Sequence, residues 1–262
     1  MTQTEAPSYV DYSEYYDFAH FQKDDIPFFL DYARECGSPL LELACGTGRL
    51  IVPIAEAGYN ITGIDLSAKM LSICRERVNR LGLSDRVSLV EANMTNFDLP
   101  EKQFALAYVP LRSFTHLFTQ KDQLSCLHTT FAHLRPGGLF IVVVFALNFS
   151  VLAKDSEDSF RVLREFDLPD GNHVVQSQRF AKHDRAKQIL YFEFKFEEKD
   201  RNGLMVRERT VPMDMRYTLR YELQLLMERA GFEVVDVFQD YEKRPFSGKY
   251  EIIMVGRKPN EK

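Results

Sequence analysis

The stretch Leu41-Glu42-Leu43-Ala44-Cys45-Gly46-Thr47-Gly48-Arg49-Leu50 decides the reading of this chain. A short apolar run enters a turn of small residues and leaves it toward a segment with helical spacing. Small residues let the backbone approach a ligand closely, and a helix N-terminus offers unsatisfied N–H groups. The bland alternative is a tight turn that holds nothing. The next apolar run, Ile61-Thr62-Gly63-Ile64-Asp65, reads as a second strand, and its acid stands seventeen residues beyond Gly48. An acid at the carboxyl edge of a parallel sheet, beside such a loop, accepts both hydroxyls of a ribose. Loop and acid together predict an adenosine-containing cofactor.

Two nucleotide fingerprints fail on spacing. A dinucleotide loop reads G-x-G-x-x-G/A. Counting from Gly46 gives Gly46, Gly48 and Ile51, and counting from Ala44 gives Ala44, Gly46 and Arg49. Neither register keeps a small third residue. No Gly-Lys-Ser/Thr follows the turn, so a P-loop is excluded as well.

Outward from the loop, short apolar strands alternate with helical patterns up to about residue 150, which predicts βαβ units and a parallel sheet. Leu40 to Leu43 is the first strand, and a helix from about Arg49 to Ala57 ends at Gly58. Ser67 reads as an N-cap, with Leu71, Cys74, Val78 and Leu81 on one helix face and Gly82 closing the helix. Val87 to Val90 and Phe104 to Val109 are further strands. Thr119 with Asp122 resembles a capping box opening a helix whose Leu124, Leu127, Phe131 and Leu134 share a face. Arg135-Pro136-Gly137-Gly138 ends it, and Leu139 to Ala146 is a buried strand. From about Phe160 the texture changes. Leu190, Phe192, Phe194 and Phe196 alternate with Tyr191, Glu193, Lys195 and Glu197, a period of two that marks a strand with one buried face. Asn202-Gly203 signals a hairpin, because both residues tolerate positive φ. Val174 to Phe180 and Leu204 to Val211 are expected to pair on either side. Thr218 then caps a helix through Ala230, Gly231 ends it, and Phe232 to Phe238 and Tyr250 to Val255 complete the first sheet.

The expectation is one α/β domain: a Rossmann-like, mostly parallel seven-stranded sheet with helices on both faces, plus an antiparallel β insertion. Residues 1–35 form an N-terminal arm, 36–150 the cofactor-binding core, about 158–213 the insertion, and 214–262 complete the core.

The chain has 262 residues with 45% hydrophobic and 27% charged, enough apolar material for a substantial core. Lys and Arg number 33 against 38 Asp and Glu, a net charge of -5, which disfavours a broad basic surface for nucleic acid. No apolar run approaches the ~20 residues that span a bilayer, so no membrane partner is expected. The start lacks the basic and apolar segments of a secretory signal. The four cysteines, Cys36, Cys45, Cys74 and Cys126, show no CxxC pairing, so reduced thiols and a cytoplasmic location are expected.

Four segments in order resemble the class I S-adenosylmethionine-dependent methyltransferases. Leu41 to Arg49 is similar to their first motif, and Gly63-Ile64-Asp65-Leu66-Ser67-Ala68-Lys69-Met70-Leu71 to their second. Glu91-Ala92-Asn93-Met94 sits where that family recognises adenine, and Leu134 to Gly138 is its lead-in to the fifth strand. The terminal Ala230-Gly231-Phe232 before two strands is similar too. The resemblance covers about residues 10 to 148 and 213 to 257. One departure is Ala44, where the family more often has glycine.

The resemblance implies S-adenosyl-L-methionine as cofactor, S-adenosyl-L-homocysteine as product, and residue roles. Glu42 would orient the methionine end, while Ala44, Gly46 and Gly48 make room for it. Asp65 would hold the ribose and Leu66 flank the adenine. Asn93 would bond the exocyclic amine through its side chain, with Met94 covering the ring. Met70 is either core or a cofactor contact. The backbone of Val109-Pro110-Leu111 would flank the cofactor, and Arg112, Phe114 and His116 would point toward substrate, with His116 the candidate base. Tyr16 would open a helix that closes over the cofactor carboxylate; the bland reading of that stretch is a solvated arm.

Methyl transfer is an in-line displacement at a carbon activated by a positive sulfonium, so the protein mainly aligns acceptor and methyl and excludes water. No His, Cys or carboxylate cluster has metal-ligand spacing, so no metal is expected. The acceptor is expected to be a small molecule with an N or O nucleophile, lying under the insertion and the arm. Arg216, Tyr217 and Arg244 are its candidate contacts, with an anionic acceptor favoured if the arginines line the cleft. Similar insertions occur in small-molecule N-methyltransferases, and some form dimers, so a homodimer through the insertion is carried as an expectation. The competing readings are a methyltransferase acting on RNA or protein and a non-catalytic binder of the cofactor. Against the former stand the acidic balance and Val109-Pro110-Leu111-Arg112 in place of an Asn-Pro-Pro-Tyr-type signature.

Overall fold

The computed structural model describes residues 13–18 and 24–260. They group into two compact units. The described residues of Lys23–Leu147 and Thr218–Lys262 form one, and those up to Gln22 with Asn148–Tyr217 form the other.

The first unit is built on a seven-stranded sheet. Its strands are β1 (Leu40–Leu43), β2 (Ile61–Asp65), β3 (Val87–Glu91), β4 (Phe104–Val109), β5 (Leu134–Phe145), β10 (Glu233–Phe238) and β11 (Glu251–Arg257). They are ordered β10-β11-β5-β4-β1-β2-β3. The first five pair in parallel, with Leu40 opposite both Ile61 and Leu106, while β11 runs antiparallel to β5 and to β10. The chain leaves β1 toward β2 and β3, then returns to place β4 on the other side. That reversal makes the carboxyl ends of β1 and β4 a topological switch point, where open α/β sheets bind ligands.

Helices cover both faces because the strands are apolar on both. Leu41 and Leu43 of β1, with Phe140, Val142 and Val144 of β5, enter one core. Helices α4 (Gln120–His133) and α5 (Arg220–Arg229) contribute Cys126, Leu127, Leu223 and Met227 to it. Leu40, Leu106, Ile141 and Val143 enter the core on the opposite face. There α1 (Ile26–Cys36), α2 (Ile51–Glu56) and α3 (Ala68–Arg80) supply Phe28, Phe29, Ile54, Leu71, Cys74 and Val78. Ser67 caps α3 by accepting the Met70 N–H, and Thr119 caps α4 by accepting that of Asp122.

Several local expectations shift. The buried face of α4 is Gln123, Cys126, Leu127, Thr130 and His133, whereas Leu124 and Phe131 are only partly buried. The polar members are satisfied internally. Gln123 donates to Thr218 Oγ1 at 3.0 Å, Thr130 donates to Cys126 O, and His133 Nε2 accepts the Leu99 N–H at 3.1 Å. Thr218, whose Oγ1 accepts from Gln123, is buried one residue before the cap position, which falls on Leu219. β5 begins at Leu134, pairing with Phe104 before the glycines. Leu81 is the C-cap residue of α3 and is exposed.

The second unit holds an antiparallel sheet of β6 (Arg161–Asp167), β7 (His173–Asp184), β8 (Ile189–Lys199) and β9 (Met205–Arg216) in sequence order. The alternation along β8 is real: Leu190, Phe192 and Phe196 are buried and Phe194 partly so. Glu198 continues that buried side. It accepts from Tyr15 Oη at 2.6 Å and from Asn172 Nδ2 at 2.7 Å, and Tyr15 stacks on Phe196 with centroids 5.2 Å apart. The helical turn over 13–18 therefore belongs to this unit. Gly203 takes φ 80 in the hairpin, where Asp200 Oδ1 accepts the Asn202 and Leu204 N–H groups.

The four cysteines are free thiols. Among the described residues no helix is long and apolar enough to cross a membrane.

Candidate functional site

The loop after β1 reverses through three left-handed residues, Ala44 (φ 55), Gly46 (φ 54) and Gly48 (φ 84). Ala44 carries a Cβ into that region, at a cost of roughly 1–2 kcal/mol. The loop is pinned to β2 by Cys45 N–H donating to Ile64 O at 3.0 Å, and to α3 by Arg77 Nη1 donating to Thr47 O at 3.1 Å. Gly48 has a packing reason to be glycine: a Cβ there would lie 2.4 Å from Cys74 Sγ. Gly63 likewise leaves room for Cys45 Sγ and Ile51 Cδ1. Part of the small-residue signal thus reports helix packing, not ligand approach.

Asp65 ends β2 beside this loop. Its Oδ2 accepts the Gly46 N–H and its Oδ1 the Ser67 N–H, both at 2.8 Å. Burial raises its pKa, against the opposing pull of these N–H groups. The Leu66 N–H also acts on this carboxylate, which has about four acceptor positions in all, so Asp65 keeps capacity to accept a ribose hydroxyl. Glu42, one strand over, is 2% exposed and takes the Tyr108 hydroxyl on Oε2 at 3.2 Å. Burial pushes its pKa up to about 8, only partly offset by the Arg49 guanidinium. Arg49 makes a two-point ion pair with the buried Asp25, at 2.6 and 2.5 Å.

The remaining cofactor candidates lie along the same edge. Leu66 is half-buried, Met70 is 2% exposed at the start of α3, and Met94 packs against the core. Val109 is fully buried at the end of β4. Asn93 differs from expectation. Its Oδ1 already accepts from Thr95 N and Thr95 Oγ1, both at 2.9 Å. What it offers a nucleobase is therefore the Nδ2 donor, whose match is a ring nitrogen, not an exocyclic amine.

The acceptor-side candidates change more. Phe114 does not point to substrate; it is fully buried in the sheet core with Leu117. Leu111 (φ 49) and Arg112 (φ 65) form a left-handed pair after β4, and the Arg112 side chain grips Glu251. His116 closes the 3-10 turn Ser113–His116 and is half-buried. Arg216 is 3% exposed and donates to Gln188, and Tyr217 contacts His183 Nε2 at 3.3 Å, both inside the antiparallel unit to which Tyr16 also belongs. Arg244 is exposed and held by Asp240 in the sheet unit. Sequence reading missed Asp25, Tyr108 and Glu251. The partners of Arg49 and Arg112 stand 24 and 139 residues away in the chain, and no local pattern announces them.

These residues fit an S-adenosyl cofactor: a half-buried acid with spare acceptor capacity, a second, buried acid, and a left-handed loop at the switch point. Among the described residues no group of His, Cys, Asp and Glu is placed to hold a metal ion.

Residues 40–138 match the family model described as a methyltransferase domain. The glycine/sarcosine N-methyltransferase of Halorhodospira halochloris is 26% identical over 223 residues, covering 84% of this chain and 75% of that protein. The CcbJ methyltransferase from Streptomyces caelestis superposes with a TM-score of 0.78 at 25% identity, covering 96% of this chain and 98% of that one. CalS10 from Micromonospora echinaspora, an amino pentose methyltransferase solved with S-adenosylmethionine, gives a TM-score of 0.71 at 20% identity, over 95% and 96% of the two chains. The chain is a class I S-adenosylmethionine-dependent methyltransferase.

Proposed function

We propose that this methyltransferase acts on an N or O nucleophile of a small molecule. The observation that carries the cofactor half is the Asp65 carboxylate, fixed by the Gly46 and Ser67 N–H groups with acceptor capacity left over. S-adenosylmethionine supplies an electrophilic methyl group on a positively charged sulfur. In this reading Asp65 holds the ribose, Leu66 and Met94 enclose the adenine, and Asn93 donates to its ring. Met70 borders that pocket. Glu42 faces the methionine end beside Ala44, Gly46 and Gly48, and the backbone of Val109 and Leu111 lines the site. The protein aligns acceptor and methyl in line and excludes water, which supplies most of what such a displacement needs.

A small-molecule acceptor is supported by the relatives, one described as acting on glycine and sarcosine and one on an amino pentose. An amine acceptor needs only to be neutral; a hydroxyl acceptor gains from a base, and His116 is the group offered for it. Arg112 cannot serve as a base, since a guanidinium stays protonated. The reading extends to metal-independent transfer in the cytoplasm. It includes a homodimer through the antiparallel sheet, whose edge strand β9 exposes Met205 and Val206 beside Leu204. Incubating the protein with methyl-labelled cofactor and metabolite pools tests it. Label in a low-molecular-weight product is expected; label only in RNA or protein overturns the acceptor class.

A further inference from the structure

Among the turns at the carboxyl edge of the seven-stranded sheet that carry non-glycine residues in the left-handed region are those of Leu111 and Arg112 after β4, and of Tyr250 (φ 64) directly before β11. L side chains avoid this region because Cβ crowds the backbone, and such conformations persist only where the surroundings over-determine them. Around Arg112 those surroundings are visible. Ser113 N–H donates to Pro110 O at 3.1 Å across two central residues of positive φ, as in a type I′ turn. Arg112 O accepts both the N–H and the hydroxyl of Thr115, at 2.8 and 2.7 Å. At the other turn, Tyr250 O accepts the Ala146 N–H, and Glu251 N–H donates to Gln239 O at 3.0 Å.

One ion pair joins the two turns. Arg112 Nε lies 3.1 and 3.0 Å from Glu251 Oε1 and Oε2, and Nη2 also closes on Oε1. β5 lies between β4 and β11, so the clasp spans the width of a strand. Exposed ion pairs usually contribute little. Here the Arg112 side chain is half exposed but that of Glu251 only 14% exposed, and the guanidinium fork matches the carboxylate in a way a lysine cannot.

We infer that Arg112 and Glu251 are a positioning pair, whose clasp keeps the 110–113 turn in its left-handed form and so fixes the backbone that borders the cofactor. This rests on the proposed placement of Val109 and Leu111 in the cofactor site. The pair acts through the turn and exchanges no proton with substrate.

The test compares the full chain with Glu251→Gln and Arg112→Lys, and with Glu251→Gln combined with Leu111→Gly. Glycine takes positive φ without a Cβ penalty, so it substitutes for the clasp. Both single variants are expected to fold with near-native melting temperatures. Amide exchange at Ser113 and Thr115 is expected to quicken about fivefold, and S-adenosylmethionine affinity by calorimetry to fall by a similar factor. Leu111→Gly in the Glu251→Gln background should restore both. Unchanged exchange and affinity in the single variants overturn the inference, as does loss of affinity that Leu111→Gly fails to restore. If wild type itself binds no S-adenosylmethionine, it is the placement of the cofactor that fails.

Discussion

The Asp65 carboxylate and the Gly46 N–H meet at 2.8 Å, so a side chain at the end of β2 holds the backbone of the loop after β1. The same carboxylate takes the Ser67 N–H that leads into α3. Binding capacity and loop geometry are thus carried by one group.

The left-handed φ of Ala44 makes a prediction of the opposite sign to most substitutions in a binding loop. Ala44→Gly removes a Cβ from a disfavoured region while loosening the unfolded chain, so the net gain is up to about 1 kcal/mol. Chemical denaturation measures it. A loss of stability would show that the Ala44 methyl packs productively.

Gly48→Ala should cost roughly 2–4 kcal/mol, because the new Cβ meets Cys74 Sγ and φ is +84. In a denaturation cycle, Cys74→Ala in that background should recover the steric part and leave the backbone part. Additive losses in the cycle would rule out the clash as the cause.

Burial raises Glu42 from an ordinary 4.5 to about 8, so the folded protein holds this proton where the unfolded chain has released it. Stability from this group is full below the ordinary value and is lost as pH rises through about 8. Glu42→Gln has no such dependence. Wild type should lose a few kcal/mol relative to Glu42→Gln between those limits, read from denaturation at a series of pH values. Parallel profiles would contradict it.

In the antiparallel unit, Tyr15→Phe removes the hydroxyl that donates to buried Glu198. The expected loss is about 1–3 kcal/mol, the cost of leaving a buried carboxylate short of a donor. Urea titration of wild type and variant decides it; a neutral result would mean that Asn172 and Arg207 together satisfy Glu198.

How much of this was legible follows the range of the interactions. The strands β1, β2 and β4 were readable because each is a short apolar run with local boundaries, and Ser67, Thr119 and Gly203 because caps and turns are local chemistry. The face of α4 was misread because Gln123, Thr130 and His133 are polar yet buried, each satisfied by a partner that periodicity does not register. Phe114 was misread because adjacency to β4 does not say which way a short helical turn directs its side chains. Glu251 was invisible because it meets Arg112 only through the pairing of β11 beside β5.

The central claim is that S-adenosylmethionine binds on Asp65. Isothermal calorimetry of wild type, with Asp65→Ala and Asp65→Asn alongside, tests it most directly, with circular dichroism confirming that each variant folds. Saturable binding by wild type, lost in Asp65→Ala and weakened in Asp65→Asn, is the predicted result. Equal affinity in wild type and Asp65→Ala, or no binding by wild type at saturating ligand, would contradict it.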